Sequence, residues 1–175
     1  MPKKCGHLEG KQVVPAGEMA AKVSAAVAAR RSTEFLIIAR TDARAVEGFE
    51  AALVRARIYR EAGADALFVE APQSEAEIEA VAQAFPDVPL LFNYAEGGRT
   101  PPVSYDRLRE LGFSLVIFPL TLMLVATSAM RGALARVRAD GTPIELLPSL
   151  LAFDAFLEFI GLPEIEELEQ RFAEG

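Results

Sequence analysis

The residues best suited to chemistry lie in Lys3-Lys4-Cys5-Gly6-His7, which holds the only cysteine and the only histidine of the chain. Cysteine reacts as the thiolate, and neighbouring lysine and protonated histidine side chains lower the pKa of the thiol from a reference of about 8.5. Gly6 lets the backbone turn sharply and approach a ligand closely. The segment is therefore predicted to be a reactive loop. The alternative is an accidental surface thiol.

Three further polar side chains, Arg40, Glu70 and Asn93, follow short apolar runs. Arg40 offers a fork of donors that suits carboxylate or enolate oxygens, although it could also form a salt bridge with Asp42 or Glu70. An unpaired charge at Glu70 would be costly to bury after a wholly apolar run. Asn93 could bind a ligand or serve only as a turn residue. Glu96, next to two glycines, is a weaker candidate of the same kind.

The apolar runs before these residues predict buried parallel strands, because each run is apolar on both faces. Segments with helical periodicity separate the runs, and Gly63, Ser74 and Ser104 are predicted to cap these helices. An earlier helix is predicted at about residues 17–30. The predicted strands cover residues 35–39, 66–69, 89–92 and 115–118.

Alternating strands and helices indicate an α/β fold with a parallel sheet, either an open doubly wound sheet or a (β/α)₈ barrel. No glycine-rich fingerprint follows a predicted strand, which disfavours the nucleotide-binding doubly wound sheet. Polar side chains at the carboxyl ends of successive strands are typical of a barrel active site. A closed barrel of this type needs about eight strands, more than the four predicted here, which counts against a complete barrel.

The end of the chain adds helices and no strand. We predict one domain over residues 1–175, in which residues 1–142 carry the strands with their helices and residues 143–175 form C-terminal helices. Such a tail could pack on its own body or on a neighbouring subunit. Its apolar stripes are Phe153, Phe156, Leu157 and Ile160, followed by Ile165, Leu168 and Phe172.

Composition excludes several classes of partner. The net charge of −7 offers no basic surface for nucleic acid or an anionic membrane. One cysteine allows no internal disulfide framework and agrees with a cytoplasmic protein, and no secretory leader is expected. Residues 111–130 carry no charge and could span a bilayer, but Pro119 interrupts them. A strand followed by a buried helix is predicted there instead.

Four motifs occur in order: the segment 2–7, the strand end 39–43, the strand end 69–72 and the segment 93–101. Together they resemble the isocitrate lyase/phosphoenolpyruvate mutase superfamily, above all its smaller members, the 2-methylisocitrate lyases, petal-death-type lyases and carboxyphosphonoenolpyruvate mutases. The resemblance implies a phosphoenolpyruvate mutase-type (β/α)₈ TIM barrel. The chain would be its C-terminal half, with strands 5–8 in residues 1–142 and a possibly domain-swapped tail. The Mg²⁺ ligands would lie in the N-terminal half.

The resemblance implies a Mg²⁺-dependent carbon–carbon bond lyase for 2-methylisocitrate or a related 2-hydroxy or 2-oxo di- or tricarboxylate. It also implies a homo-oligomer, by resemblance a tetramer. Mutases and phosphonate hydrolases of the superfamily typically lack the cysteine, so Cys5 favours the lyase. The alternatives are a phosphonate-type mutase and a truncated, non-catalytic half-barrel that serves as an assembly subunit.

By resemblance, Cys5 donates a proton to the enediolate-like product. Arg40 and Glu70 complete the catalytic set, and Glu70 would bond substrate or the waters on Mg²⁺. The residues implied in catalysis are Cys5, Lys3 (or Lys4), His7, Arg40 and Glu70; those implied in substrate binding are Gly6, Asn93 and Glu96, with Arg99 and Thr100 as weaker candidates.

Overall fold

The computed structural model describes residues 10–173, which divide into two compact units, residues 10–122 and residues 123–173. The first unit alternates strands and helices. The strands are β1 (Ile38–Thr41), β2 (Ala66–Val69), β3 (Leu91–Asn93) and β4 (Leu115–Ile117). The α-helices of the chain are α1 (Ala16–Ala29), α2 (Phe49–Glu61), α3 (Glu75–Ala84), α4 (Tyr105–Glu110), α5 (Thr121–Asp140), α6 (Phe153–Phe159) and α7 (Leu162–Phe172), with 3₁₀ turns at Ala43–Ala45 and Ile144–Ser149.

The four strands are parallel and lie side by side in chain order. β1 pairs with β2, and β3 pairs with β4. A parallel bridge between Leu67 and Leu90 joins β2 to β3, and the Leu67 N–H donates to the Pro89 carbonyl at 3.0 Å. Successive parallel neighbours joined by helices confirm the predicted α/β fold with a parallel sheet.

Helices cover one face of this sheet. The side chains that alternate onto that face pack with α1, α2, α3 and α4 in two apolar clusters. The opposite face is exposed at Ile38 (43%), Leu115 (46%) and Ile117 (36%). The prediction that every strand is covered on both faces is therefore wrong for β1 and β4, because the described helices of this unit pack against one face only. The sheet residues on the helix-covered face are Ala39, Leu67, Val69, Leu90 and Phe92.

The first strand begins later than its apolar run suggests. Phe35 and Leu36 are 65% and 60% exposed, and the strand starts at Ile38. The Asp65 carboxylate accepts a hydrogen bond from the Ile37 N–H at 2.8 Å and pairs with Arg30 at 2.6 Å. These contacts hold the segment before β1, so apolar composition alone placed the strand three residues too early.

The predicted helix ends are confirmed by their hydrogen bonds. The Ser74 hydroxyl accepts from the Glu77 N–H at 3.1 Å, and the Ser104 hydroxyl accepts from the Arg107 N–H at 3.2 Å. Gly63 follows α2 with φ of +103°, where a side chain would be strained and a Cβ would lie 3.1 Å from Val27. These caps set where each connection leaves its helix for the next strand.

Glu77 also joins α3 to the loop after β1. Its carboxylate accepts from Arg44 at 2.6 and 3.0 Å and from the Gln73 N–H at 2.8 Å. Burial raises the pKa of this carboxyl, but the bonds from Arg44 and Gln73 outweigh burial and hold the pKa below its ordinary value of 4.5. The ionised carboxylate therefore stabilises the folded state.

We expect this contribution to be present above pH 4.5 and to be lost as the pH falls through the lowered pKa of folded Glu77. As the pH falls below 4.5, the free energy of unfolding should therefore decrease less in Glu77→Gln than in the wild type. Urea denaturation at a series of pH values measures this slope, with the exposed Glu61→Gln as the matched control. An unchanged acid slope in Glu77→Gln would contradict the assignment.

The second unit contains the remainder of α5, the second 3₁₀ turn, α6 and α7. Gly161 separates α6 from α7 in a left-handed conformation, with φ of +83°. The apolar side chains of these two helices are largely exposed, among them Phe153 (71%), Phe159 (82%) and Phe172 (69%). None of the described helices has the length and apolar character needed to cross a membrane.

Candidate active site

Three of the residues singled out in the sequence meet at the carboxyl ends of β1, β2 and β3. The Glu70 carboxylate is at their centre and is 1% exposed. Its Oε1 accepts from Asn93 Nδ2 at 3.3 Å, and its Oε2 lies 3.4 Å from Arg40 Nη1. The Glu70 N–H donates to the Thr41 carbonyl at 3.0 Å, which extends the β1–β2 pairing past the end of β2.

Sheet register explains why these side chains share a face. Arg40 pairs with Phe68 across β1 and β2, and the Leu67–Leu90 bridge places Glu70 in register with Asn93. Side chains in register lie on the same face, and positions two apart return to it. All three polar residues therefore lie on the face that the helices leave uncovered.

Arg40 forms the salt bridges that were one of the two roles considered for it from the sequence. Its Nε and Nη2 donate to the two oxygens of Asp42 at 2.8 and 3.0 Å, and its third nitrogen faces Glu70. The guanidinium also lies over the Phe68 ring, 4.9 Å from the centroid. The Arg40 guanidinium binds Asp42 through two parallel N–H donors, and the same pair of donors could bind a substrate carboxylate.

Lys11 joins the same cluster and was not predicted from the sequence. Its Nζ lies 3.7 Å from Asp42 Oδ1, and its side chain is only 8% exposed. The one sequence signal for it is its position four residues after His7. Among residues 10–173, Lys11 and Arg40 are the positive side chains facing the negative Asp42 and Glu70. An anionic ligand that binds Arg40 must therefore compete with Asp42.

Glu96 lies on the loop after β3. It lines a cavity of about 360 Å³ together with Tyr94 and Thr100. Both Glu96 carboxylate oxygens and the Thr100 hydroxyl are buried without a hydrogen-bond partner among residues 10–173. Arg40, Glu70 and Asn93 do not line this cavity.

The remaining candidates belong to the first motif. Lys3, Lys4, Cys5, Gly6 and His7 lie outside the described residues. Their assignment as proton donor, assisting groups and close-approach glycine stays a prediction.

The acidic side chains of the described residues bear on whether this part of the chain could hold a divalent metal. Within residues 10–173 no three histidine, cysteine or acidic side chains are grouped so that they could hold a metal ion. Asp42 and Glu70 are instead engaged by Arg40. The described residues therefore do not form a metal site by themselves.

Comparison with known proteins identifies relatives. The family model described as phosphoenolpyruvate phosphomutase matches residues 3–138. A 2-methylisocitrate lyase of Aeropyrum pernix is 44% identical over 167 residues, which cover 95% of this chain and 53% of that protein. The chain spans about half the length of the curated relatives it matches.

Solved structures share the fold. The crystal structure of 2,3-dimethylmalate lyase, a PEP mutase/isocitrate lyase superfamily member, superimposes with a TM-score of 0.88 at 34% identity, covering 97% of this chain and 56% of that one. A phosphonopyruvate hydrolase in complex with oxalate and Mg²⁺ superimposes with a TM-score of 0.76 at 29% identity, covering 96% of this chain and 61% of that one.

Proposed function

Since this chain belongs to the phosphoenolpyruvate phosphomutase family, we propose that it contributes the strand-end residues of a Mg²⁺-dependent carbon–carbon bond lyase. The proposed substrate is 2-methylisocitrate or a related 2-hydroxy or 2-oxo di- or tricarboxylate, since relatives bear the names 2-methylisocitrate lyase and 2,3-dimethylmalate lyase. The observation that carries the proposal is the meeting of Arg40, Glu70 and Asn93 at three neighbouring strand ends.

Arg40 is the proposed carboxylate-binding residue. Asp42 holds its fork in place, and a substrate carboxylate would take over one or both of these donors. Phe68 packs against one side of the guanidinium. We therefore expect Arg40 to keep its position when a substrate carboxylate replaces Asp42 as its partner. The same guanidinium would then stabilise negative charge that develops on the substrate.

Glu70 and Asn93 are proposed to act as a pair. The bond from Asn93 Nδ2 to Glu70 Oε1 leaves Asn93 Oδ1 buried and without a hydrogen-bond partner among the described residues. Asn93 is proposed to bind the substrate through its side-chain amide, and Glu70 to accept a hydrogen bond from the substrate. Buried polar groups gain most from such bonds, because leaving them unsatisfied is costly.

Cys5 is the proposed proton donor. In the proposed reaction a base removes the proton of the substrate hydroxyl, whose oxygen becomes the carbonyl of one product as the carbon–carbon bond breaks. The electron pair of that bond remains on the other product as an enediolate, and the Cys5 thiol gives its proton to that carbon and becomes a thiolate. Lys3 and His7 would stabilise the thiolate, while Gly6 would allow close approach and Glu96 would contact substrate from the loop after β3. An acid with a pKa near the working pH suits this step.

The proposed architecture is the C-terminal half of a TIM barrel. Parallel strands in chain order, with site residues at their carboxyl ends, support it. Residues 1–142 would carry barrel strands 5–8 and residues 143–175 the helical tail. Exposed apolar side chains on α6 and α7 support a role for the tail in a homo-oligomer, by resemblance a tetramer. A cytoplasmic location agrees with the single cysteine.

Substrate cleavage with and without Mg²⁺ tests the proposal. The purified chain is incubated with 2-methylisocitrate, 2,3-dimethylmalate, oxaloacetate or phosphonopyruvate, and the products are followed by NMR. We expect cleavage of a carboxylic acid substrate that EDTA abolishes and added Mg²⁺ restores when the chain is combined with the N-terminal half of the barrel, where the resemblance places the Mg²⁺ ligands. Turnover of phosphonopyruvate alone would favour the mutase branch. A folded chain that neither cleaves nor binds any of the acids would favour the non-catalytic half-barrel.

A further inference from the structure

The residue after Glu70 has an unusual backbone. Ala71 has φ of +55°, and among residues 10–173 every other residue with positive φ is a glycine. Ala71 is 3% exposed and is followed by Pro72. An alanine in this region places its Cβ too close to the backbone. A proline at the next position restricts its backbone further, because it disfavours helical conformations of the residue before it.

This conformation ends β2 directly after the buried carboxylate. Glu70 still follows the sheet pairing, since its N–H donates to the Thr41 carbonyl. At Ala71 the chain turns away. Glycine would make the same turn without the steric conflict, but it would also allow many other conformations. At positive φ, alanine has only one small allowed region of φ and ψ, and strain of this kind often occurs where a functional group must be held still.

We propose that Ala71 is a positioning residue: its confined left-handed backbone holds the Glu70 carboxylate between Arg40 and Asn93, at the expense of local strain. Ala71 does not touch the reacting atoms and acts through Glu70. The consequence for catalysis rests on the proposed lyase activity, whereas the claim that Ala71 fixes the position of Glu70 does not.

Ala71→Gly tests this, with Ala64→Gly as the matched control. Ala64 lies just before β2, is 1% exposed, and is not among the residues with positive φ. Amide hydrogen exchange at Glu70, thermal unfolding and steady-state kinetics are measured for both variants. We expect Ala71→Gly to keep or raise the melting temperature while exchange at Glu70 becomes about tenfold faster through local opening.

The control should show the reverse pattern. Ala64→Gly should lower the melting temperature, because a buried methyl group is lost and the unfolded chain gains freedom, but leave kcat unchanged. Where lyase activity is present, Ala71→Gly should lower kcat by about tenfold, with a smaller change in KM.

Two results would overturn the proposal. One is Glu70 exchange in Ala71→Gly that matches the wild type. The other is a general loss of protection with a lowered melting temperature, as in the control, which would make Ala71 merely structural. Amide exchange at Glu70 is measured without substrate. It therefore tests whether Ala71 positions Glu70 even if the chain shows no lyase activity.

Discussion

Replacing Glu70 by glutamine is expected to lower kcat/KM by about 100-fold or more, because it removes a buried charge that would contact substrate. The amide has nearly the shape of the carboxylate but only one acceptor oxygen. Glu70 now accepts from Asn93 Nδ2 and faces Arg40 Nη1 with its other oxygen. In the variant, one of these two donors must face an NH₂ group.

The charge balance of the cluster changes as well. The variant removes one negative charge from beside Arg40, so the strand ends become more positive by one charge. We therefore expect an anionic dicarboxylate such as oxalate to bind the variant at least as tightly as the wild type, even though turnover is lost. Isothermal titration calorimetry and steady-state kinetics separate the two effects.

Glu110→Gln provides the matched control, since Glu110 is the last residue of α4 and its side chain is 66% exposed. It should retain wild-type kinetics. Glu70→Asp keeps the charge but withdraws it by one methylene, and we expect intermediate activity. A Glu70→Gln enzyme with unchanged kcat/KM and a normal melting temperature would remove Glu70 from the catalytic set.

Replacing Cys5 by serine is expected to reduce kcat by about 10²–10⁴-fold, the usual contribution of a well-placed proton donor. A serine hydroxyl has nearly the same shape as the thiol but is a far weaker acid, so it cannot deliver a proton to carbon near neutral pH. Substrate affinity should change little, because the proposed role of Cys5 begins after the carbon–carbon bond has broken.

The single cysteine allows a second, chemical test of the same residue. A thiol-specific reagent can modify only Cys5, so inactivation of the wild type, and protection by oxalate, report on this residue alone. Leu8→Met is the control, because it makes a volume-conserving change in the same segment. Full activity in Cys5→Ser would exclude the proton-donor role and leave the accidental surface thiol as the explanation.

Several features of the molecule could be derived from the sequence. The bounds of β2 follow from a run that is buried at every position, and the caps at Ser74 and Ser104 follow from local side-chain chemistry. Family membership follows from four motifs in order. Such features depend on residues close together in the chain, and their local conformational preferences do not require contacts with the rest of the fold.

Contacts between distant segments could not be derived in this way. The start of β1 depends on Asp65, which lies 28 residues after its partner Ile37. Lys11 reaches Asp42 only because the first described segment folds against the strand ends. The cavity that Glu96 lines forms on the loop after β3, where the Tyr94 N–H still donates to the Ile117 carbonyl of β4.

By itself, the sequence determined the type and order of the elements, and it identified Arg40, Glu70 and Asn93 as the polar residues at three strand ends. Only the tertiary structure decided how they are paired: Glu70 accepts from Asn93 and faces Arg40, and Arg40 is held by Asp42. It also revealed the left-handed backbone of Ala71. Composition and periodicity indicate which face of the sheet a residue prefers. Which residues on that face contact one another is determined by the sheet register, and long-range strand pairing sets that register.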